Sequence, residues 1–147
     1  MAYNPNNPNG QATAANSAPV VLASNVVVTG SLVEIATGGA TMWHTASTAS
    51  TNATNIKSTP GKVTGWYIYN SNGTARKVAF HDTAGTPTAG AGVYFSIVIP
   101  ALSAANCPFP AGIDFSAGIA ITTTTGLADS DATAVALNDL IINILYK

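Results

Sequence analysis

Charge is the scarcest resource in this chain. Only 7% of its 147 residues are Asp, Glu, Lys or Arg, against about 25% in an average globular protein. The five basic residues, Lys57, Lys62, Arg76, Lys77 and Lys147, are scattered and the net charge is −1. A protein that grips phosphates needs a basic patch, so direct nucleic-acid binding and electrostatic membrane anchoring find no support. Cys107 is the single cysteine, which excludes an intrachain disulfide framework. Its neighbours Asn106 and Pro108 carry no positive charge to activate the thiol, so a small buried hydrophobe is expected. No apolar run approaches the roughly 18 residues of a membrane span. The first ten residues lack the basic and apolar regions of a signal peptide. The expectation is a soluble protein made in a cytoplasm.

Chemistry is also thinly represented. His44 and His81 are the only histidines and Glu34 is the only glutamate. His81 and Asp82 are adjacent and could be imagined as a base and its orienter. No serine sits in a G-x-S-x-G elbow, and a strand-end histidine at an exposed position is the plainer expectation. Cys107, His44 and His81 lack the paired spacing of a zinc site. Asp129 and Asp131 resemble part of a calcium loop, but the further ligands and the distal glutamate are missing; loop-capping acids are expected instead. Six isolated acids make a facing pair for glycoside cleavage improbable. Trp66, Tyr67 and Tyr69 could stack on sugars, although alternation along a strand sends half of them into a core. No Gly-rich turn opens a helix to cradle a phosphate. The sequence therefore predicts no catalytic residue, no metal ligand and no cofactor.

What the chain does have is Thr, Ser, Asn, Ala and Gly, small neutral residues that suit close contact with other chains. Length fits a single body. Residues 1–24 read as an extended N-terminal arm and residues 25–147 as the folded domain. The arm opens with NPNNPNG over residues 4–10, where Pro5 and Pro8 block regular pairing. Pro19 sets an extended start for Val20, Val21 and Leu22. Such a segment cannot bury enough to offset about 1–2 kcal/mol of ordering entropy per residue unless it lies on something else.

From Asn25 onward the pattern is β. Strands are predicted over residues 26–36, 62–70, 75–82, 93–99, 113–115, 118–125 and 140–146. Asn70-Ser71-Asn72-Gly73 carries the Asn-Gly signal of a tight hairpin, so residues 75–82 are expected to return antiparallel on 62–70. Within 62–70, Val63, Gly65, Tyr67 and Tyr69 are assigned one face, and Thr64, Trp66 and Ile68 the other. Residues 41–55 read as a loop or frayed edge strand anchored by Trp43. Residues 101–111 read as irregular because of Pro100, Pro108 and Pro110. Short strands separated by Gly, Pro and Asn turns, with no convincing helix, indicate a sandwich or barrel. A jelly-roll-like antiparallel β-sandwich with an extended N-terminal arm fits best. An immunoglobulin-like sandwich is the second choice, though it lacks the Cys…Trp…Cys spacing.

Two stretches carry a resemblance. GQATAANSAPVVLAS, residues 10–24, resembles a segment near the start of many tailed-phage virion proteins. FSAGIAITTTTGLADSDATAVALNDLIINILYK, residues 115–147, resembles the C-terminal end of small phage head or tail proteins. The central GWYIYNSNGTARKVAFHD is similar to these proteins as well, whereas residues 44–55 depart from them. The resemblance implies a phage structural protein, foremost a capsid cement (decoration) protein. Its expected partners are the major capsid protein and itself, as a homotrimer, and its expected place is the capsid exterior of the virion. Cement proteins of this size commonly pair a β-sandwich body with an arm that reaches across neighbouring capsid subunits. Tyr3, Pro19, Val20, Val21 and Leu22 are then the candidate interface with shell or subunit, with residues 20–22 adding to a neighbour's sheet edge. A tail or fibre module that binds a receptor, such as a glycan through the 66–69 aromatics, is the alternative.

Overall fold

A computed structural model describes residues 39–147. The arm expected over residues 1–24 and the strand expected over 26–36 lie outside the described residues, as do Tyr3, Pro19, Val20, Val21 and Leu22. Eight strands follow: β1 (Thr41–Ala46), β2 (Thr54–Lys57), β3 (Gly61–Asn70), β4 (Arg76–Asp82), β5 (Phe95–Ile99), β6 (Ser103–Phe115), β7 (Ile119–Thr124) and β8 (Leu140–Tyr146). No helix occurs among the described residues, so none is long and apolar enough to cross a membrane.

The strands form two four-stranded antiparallel sheets, ordered β1-β8-β3-β6 (sheet A) and β2-β7-β4-β5 (sheet B). The first strand pairs with the last, the second with the seventh, the third with the sixth and the fourth with the fifth. That nesting is the wrapped hairpin of a jelly roll, as the spacing of strands and turns predicts.

Between the sheets lies one apolar core. Val63 and Ile68 of β3, Ile142 and Ile144 of β8, Val78 and Phe80 of β4, and Ile119 and Ile121 of β7 are fully buried there. Phe80 stacks on Phe95 with ring centroids 4.5 Å apart, and Trp66 tilts against both at 6.3 and 6.2 Å. Large rings that fill the gap between two sheets supply much of such a core, and deleting one costs about 3–5 kcal/mol.

Three local expectations are corrected and one, the third below, is sharpened. The Asn-Gly turn joins no hairpin, because β3 belongs to sheet A and β4 to sheet B. Neither Asn72 nor Gly73 takes the positive φ that a two-residue hairpin turn requires. Side chains hold the crossover instead. Asn70 Nδ2 donates to the carbonyls of Thr74 (2.9 Å), Ile99 (3.2 Å) and Pro100 (3.0 Å). Asn72 Nδ2 donates to Asp139 Oδ1 at 2.9 Å, and Arg76 Nε pairs with Asp139 Oδ2 at 2.8 Å. This buried cluster ties the start of β8 to the β3–β4 crossover.

Second, residues 101–111 are irregular only in part, since β6 begins at Ser103 and runs through Pro108 and Pro110, although residues 109–112 have no partner in β3. It is an edge strand of sheet A, where a missing N–H can face outward without breaking a ladder. Third, residues 41–55, expected as a loop or a frayed edge strand anchored by Trp43, hold two edge strands, β1 and the start of β2, and Trp43 does pack on the core. Fourth, Val63 shares the inner face with Trp66 and Ile68. Between Val63 and Gly65, β3 carries one residue more than β8 opposite it, and this bulge reverses the alternation. Thr64, the extra residue, has a buried hydroxyl without a hydrogen-bond partner.

Candidate functional site

Each sheet has an outer face, and the two differ in what covers them. On sheet B, Lys77, Ala79 and His81 of β4 point outward beside Thr124, Thr122 and Ala120 of β7. All six are buried, because the loops 83–92 and 126–133 lie over them. Lys77 is 1% exposed, and its Nζ donates to the Ala128 carbonyl and stands 3.5 Å from Asp129 Oδ1. The two loops meet where Gly90, at φ +81°, passes Ser130. A Cβ on Gly90 would stand 2.7 Å from the Ser130 carbonyl oxygen.

His81 is the centre of this roofed face. It is 2% exposed, not the exposed strand-end residue expected from sequence. Its Nδ1 lies 3.1 Å from the Gly92 carbonyl oxygen. That atom only accepts, so Nδ1 carries the proton and Nε2 accepts from the Thr122 hydroxyl at 2.9 Å. Burial pushes the imidazole below its ordinary value of 6.5, and Lys77 adds to the effect, while the carbonyls of Gly92 and Ala91 partly oppose it. The ring is therefore neutral at pH 7. A cleft of about 320 Å³ opens beside it, lined by His81, Asp82, Thr83, Thr86, Pro87 and Gly92 among others.

Asp82 does not orient His81. Consecutive strand residues point to opposite faces, and the Asp82 carboxylate turns to the loop before β7. It accepts from Ser116 Oγ (2.6 Å) and from the N–H groups of Ser116 (3.0 Å), Ala117 (2.7 Å) and Gly118 (3.2 Å). The Ser116 hydroxyl and these amides hold its carboxyl well below the usual carboxylate range. Both imidazole nitrogens and the carboxylate are thus occupied by structural partners.

The other candidates fall into similar roles. Asp131 accepts from Gly126 N (2.9 Å), Thr133 N (3.2 Å) and Thr133 Oγ1 (2.9 Å). Partial desolvation raises its pKa, and these hydrogen bonds outweigh that and leave it lowered. Asp129 receives the Ser96 hydroxyl at 3.2 Å. No group of three or more His, Cys, Asp or Glu is placed to hold a metal ion among the described residues. Cys107 is half-buried rather than buried, because it sits on the edge strand β6 opposite Trp66.

The outer face of sheet A is open. Met42 of β1 is 63% exposed, Tyr67 of β3 is 47% exposed and Ile141 of β8 is 39% exposed. The pairing places them with His44, Tyr69, Asn106, Asn143 and Leu145 on one side of the sheet. His44 Nδ1 donates to Asn143 Oδ1 at 2.9 Å, and Asn143 Nδ2 donates to the Tyr67 carbonyl at 3.2 Å. None of these residues is Asp, Glu, Lys or Arg, whereas Lys62 of β3 and Asp114 of β6 form an ion pair of 3.0 Å at one end of the same face. Of the three aromatics considered for sugar stacking, Trp66 is part of the core and Tyr67 and Tyr69 belong to this face. Sequence reasoning found the tyrosines but missed Met42 and Ile141. The signal was present in LIINILY, a strand apolar on both sides, which normally marks burial on both faces.

No protein-family model matches the chain, and no curated protein matches it.

Proposed function

We propose that this chain is a non-enzymatic structural protein of a virion, a capsid cement protein that binds the outside of the head and bridges shell subunits. The observation that supports it best is the partly apolar outer face of sheet A, with Met42, Tyr67 and Ile141 exposed on it. Exposed apolar surface on one face of a folded body is a mark of contact with another protein. The buried polar groups of sheet B serve the opposite end, since each is committed to holding a loop. The resemblance of residues 10–24 and 115–147 to tailed-phage virion proteins gives the class of assembly. The jelly-roll body by itself is compatible with many functions and adds only permission.

Mechanically the protein acts as a staple. A shell under internal pressure fails where subunits separate, and a bridge across the seam adds buried area there. Several weak attachments on one particle multiply into high avidity. The arm, residues 1–24, supplies one attachment by laying residues 20–22 along a sheet edge of a capsid subunit. The test is cosedimentation of the purified chain with undecorated heads, beside a variant lacking residues 2–24. The expected result is saturable binding of the full chain and loss of binding by the truncated one. Full decoration by the truncated chain would remove the arm from the mechanism, and no binding by either would remove the shell as partner.

The tail or fibre reading keeps one specific support, Tyr67 and Tyr69 side by side on an open face. Tyr67 presents its ring to solvent as a sugar platform would. A glycan array with a reproducible hit abolished by Tyr67→Ala favours that reading.

A further inference from the structure

We propose that the outer face of sheet A is the surface through which copies of this chain pack on one another in a closed homo-oligomer. The inference rests on the reading of the chain as an assembly protein and names the partner of one of its surfaces.

Three observations point to a second copy rather than a foreign protein. The first is charge. The described residues include ten Lys, Arg and Asp side chains, from Lys57 to Lys147. None occupies the outward positions 42, 44 and 46 of β1, 67 and 69 of β3, 104 and 106 of β6, or 141, 143 and 145 of β8. Lys62 of β3 and Asp114 of β6 share the outer face at its far end, where they neutralise each other in an ion pair of 3.0 Å. Around a rotation axis, identical groups from different copies approach one another, so any charge near the axis meets its own sign. The stretch of the face from β1 across β8 to the middle of β3 and β6, where these positions hold no Asp, Glu, Lys or Arg, satisfies that condition. A face shaped for a differently charged partner has no reason to.

The second is hydrogen-bonding chemistry. Beyond the Lys62–Asp114 pair, the polar groups at these positions are the amides of Asn106 and Asn143, the His44 ring and the Tyr67 and Tyr69 hydroxyls. Each both donates and accepts. Such groups find partners on a copy of themselves, which a set of pure donors or pure acceptors does not.

The third is the sequence of β8. Leu140, Ile142 and Ile144 fill the core. Ile141 and Leu145, on the other side, have no roof among the described residues of the kind that covers sheet B. A central strand apolar on both sides is what a sheet covered on both sides requires. Tyr67 and Met42 are residue types enriched at the centres of protein interfaces.

The test uses the full chain. Light scattering behind size exclusion is expected to give a whole-number multiple of the 14.8 kDa chain mass. Tyr67→Glu and Ile141→Glu place like charges into the face, and each is expected to weaken association by about 100-fold or more. Val98→Glu, at a 45% exposed position on sheet B, is the control and is expected to leave the mass unchanged. Far-UV circular dichroism and a retained cooperative melt separate dissociation from misfolding. Should both glutamate variants misfold, Met42→Glu on the edge strand β1 carries the same test at the most exposed position. A monodisperse single chain at 100 µM overturns the proposal, whether residues 1–38 or a foreign protein then covers the face. Oligomers unaffected by substitutions on the face overturn it equally. Head binding is a separate readout. A monomer that decorates heads defeats this inference and spares the proposed function, and an oligomer that ignores heads does the reverse.

Discussion

His81 and His44 are the same side chain on the outer faces of two sheets in one sandwich, and their surroundings are opposite. His81 lies under a roof of two loops with both nitrogens bonded inside the protein. His44 stands on an open face, with Asn143 as the partner of its Nδ1. The outer faces of β4 and β7 in sheet B are covered by loops of the same chain, whereas sheet A leaves Met42, Tyr67 and Ile141 in solvent. A jelly roll needs only its inner faces to fold. What covers an outer face is therefore a separate choice, and here loops make it on one side, while the described residues leave the other open.

The most severe way to break the contrast is to lift the roof at its anchor. In Gly118→Ala the new Cβ would stand 2.6 Å from the Lys57 carbonyl oxygen and 2.7 Å from that of Thr83. Backbone cannot yield cheaply there, and a loss of about 3 kcal/mol is expected in urea unfolding. Next comes the histidine pair itself. His81→Ala leaves the Gly92 carbonyl without its donor, empties a buried volume and is expected to cost about 2–3 kcal/mol. His44→Ala is expected to stay within about 0.5 kcal/mol for the isolated fold. Equal costs at the two positions would erase the distinction between the faces. Thr122→Val removes only the donor to His81 Nε2 and is expected to cost about 1 kcal/mol.

The smallest effect is the most diagnostic, because it depends on pH. His81 titrates lower in the folded protein than in the unfolded chain, so the unfolded chain binds more protons just below pH 6.5. Stability is then highest above that value and declines as pH falls toward the folded pKa. The melting temperature is expected to drop between pH 7 and pH 5, with a flatter profile in His81→Gln. A second decline belongs to Asp82, Asp131 and Asp139, whose folded values lie below the ordinary 3.8. For Asp139, burial acts upward, and the bonds from Arg76, Ala136 and Asn72 outweigh it. Their contribution is present above pH 4 and is lost as pH falls through the lowered values. An unchanged first decline in His81→Gln would assign it to another group.

Much of the body was legible in the sequence. The strand spacing, Gly and Pro turns and lack of helical periodicity indicate a jelly roll, and the nested pairing of eight strands is that fold. The misreadings share a cause, namely long-range contacts overriding local signals. Asn72-Gly73 is a hairpin signal only if the flanking strands pair, and here the Asn70 side chain bonds across to the carbonyls of Ile99 and Pro100. Pro108 and Pro110 bar a central strand but not an edge, and edge position is a property of topology. The bulge at Thr64 reversed the faces of β3 without any glycine at the extra residue to announce it. The candidate site was legible in part. Tyr67 and Tyr69 were visible as alternating aromatics, but the burial of His81 depends on a loop that closes through Gly92. The candidate arm residues Tyr3, Pro19, Val20, Val21 and Leu22 lie outside the described residues.

Cryo-electron microscopy of the particle that carries this chain tests the proposed function most directly. The account predicts density on the outside of the head, with copies clustered about a local symmetry axis, their β1-β8-β3-β6 faces turned toward one another and their N-terminal arms running onto the shell. Density on the tail or on a vertex fibre, with Tyr67 and Ile141 facing solvent or a receptor, would contradict it.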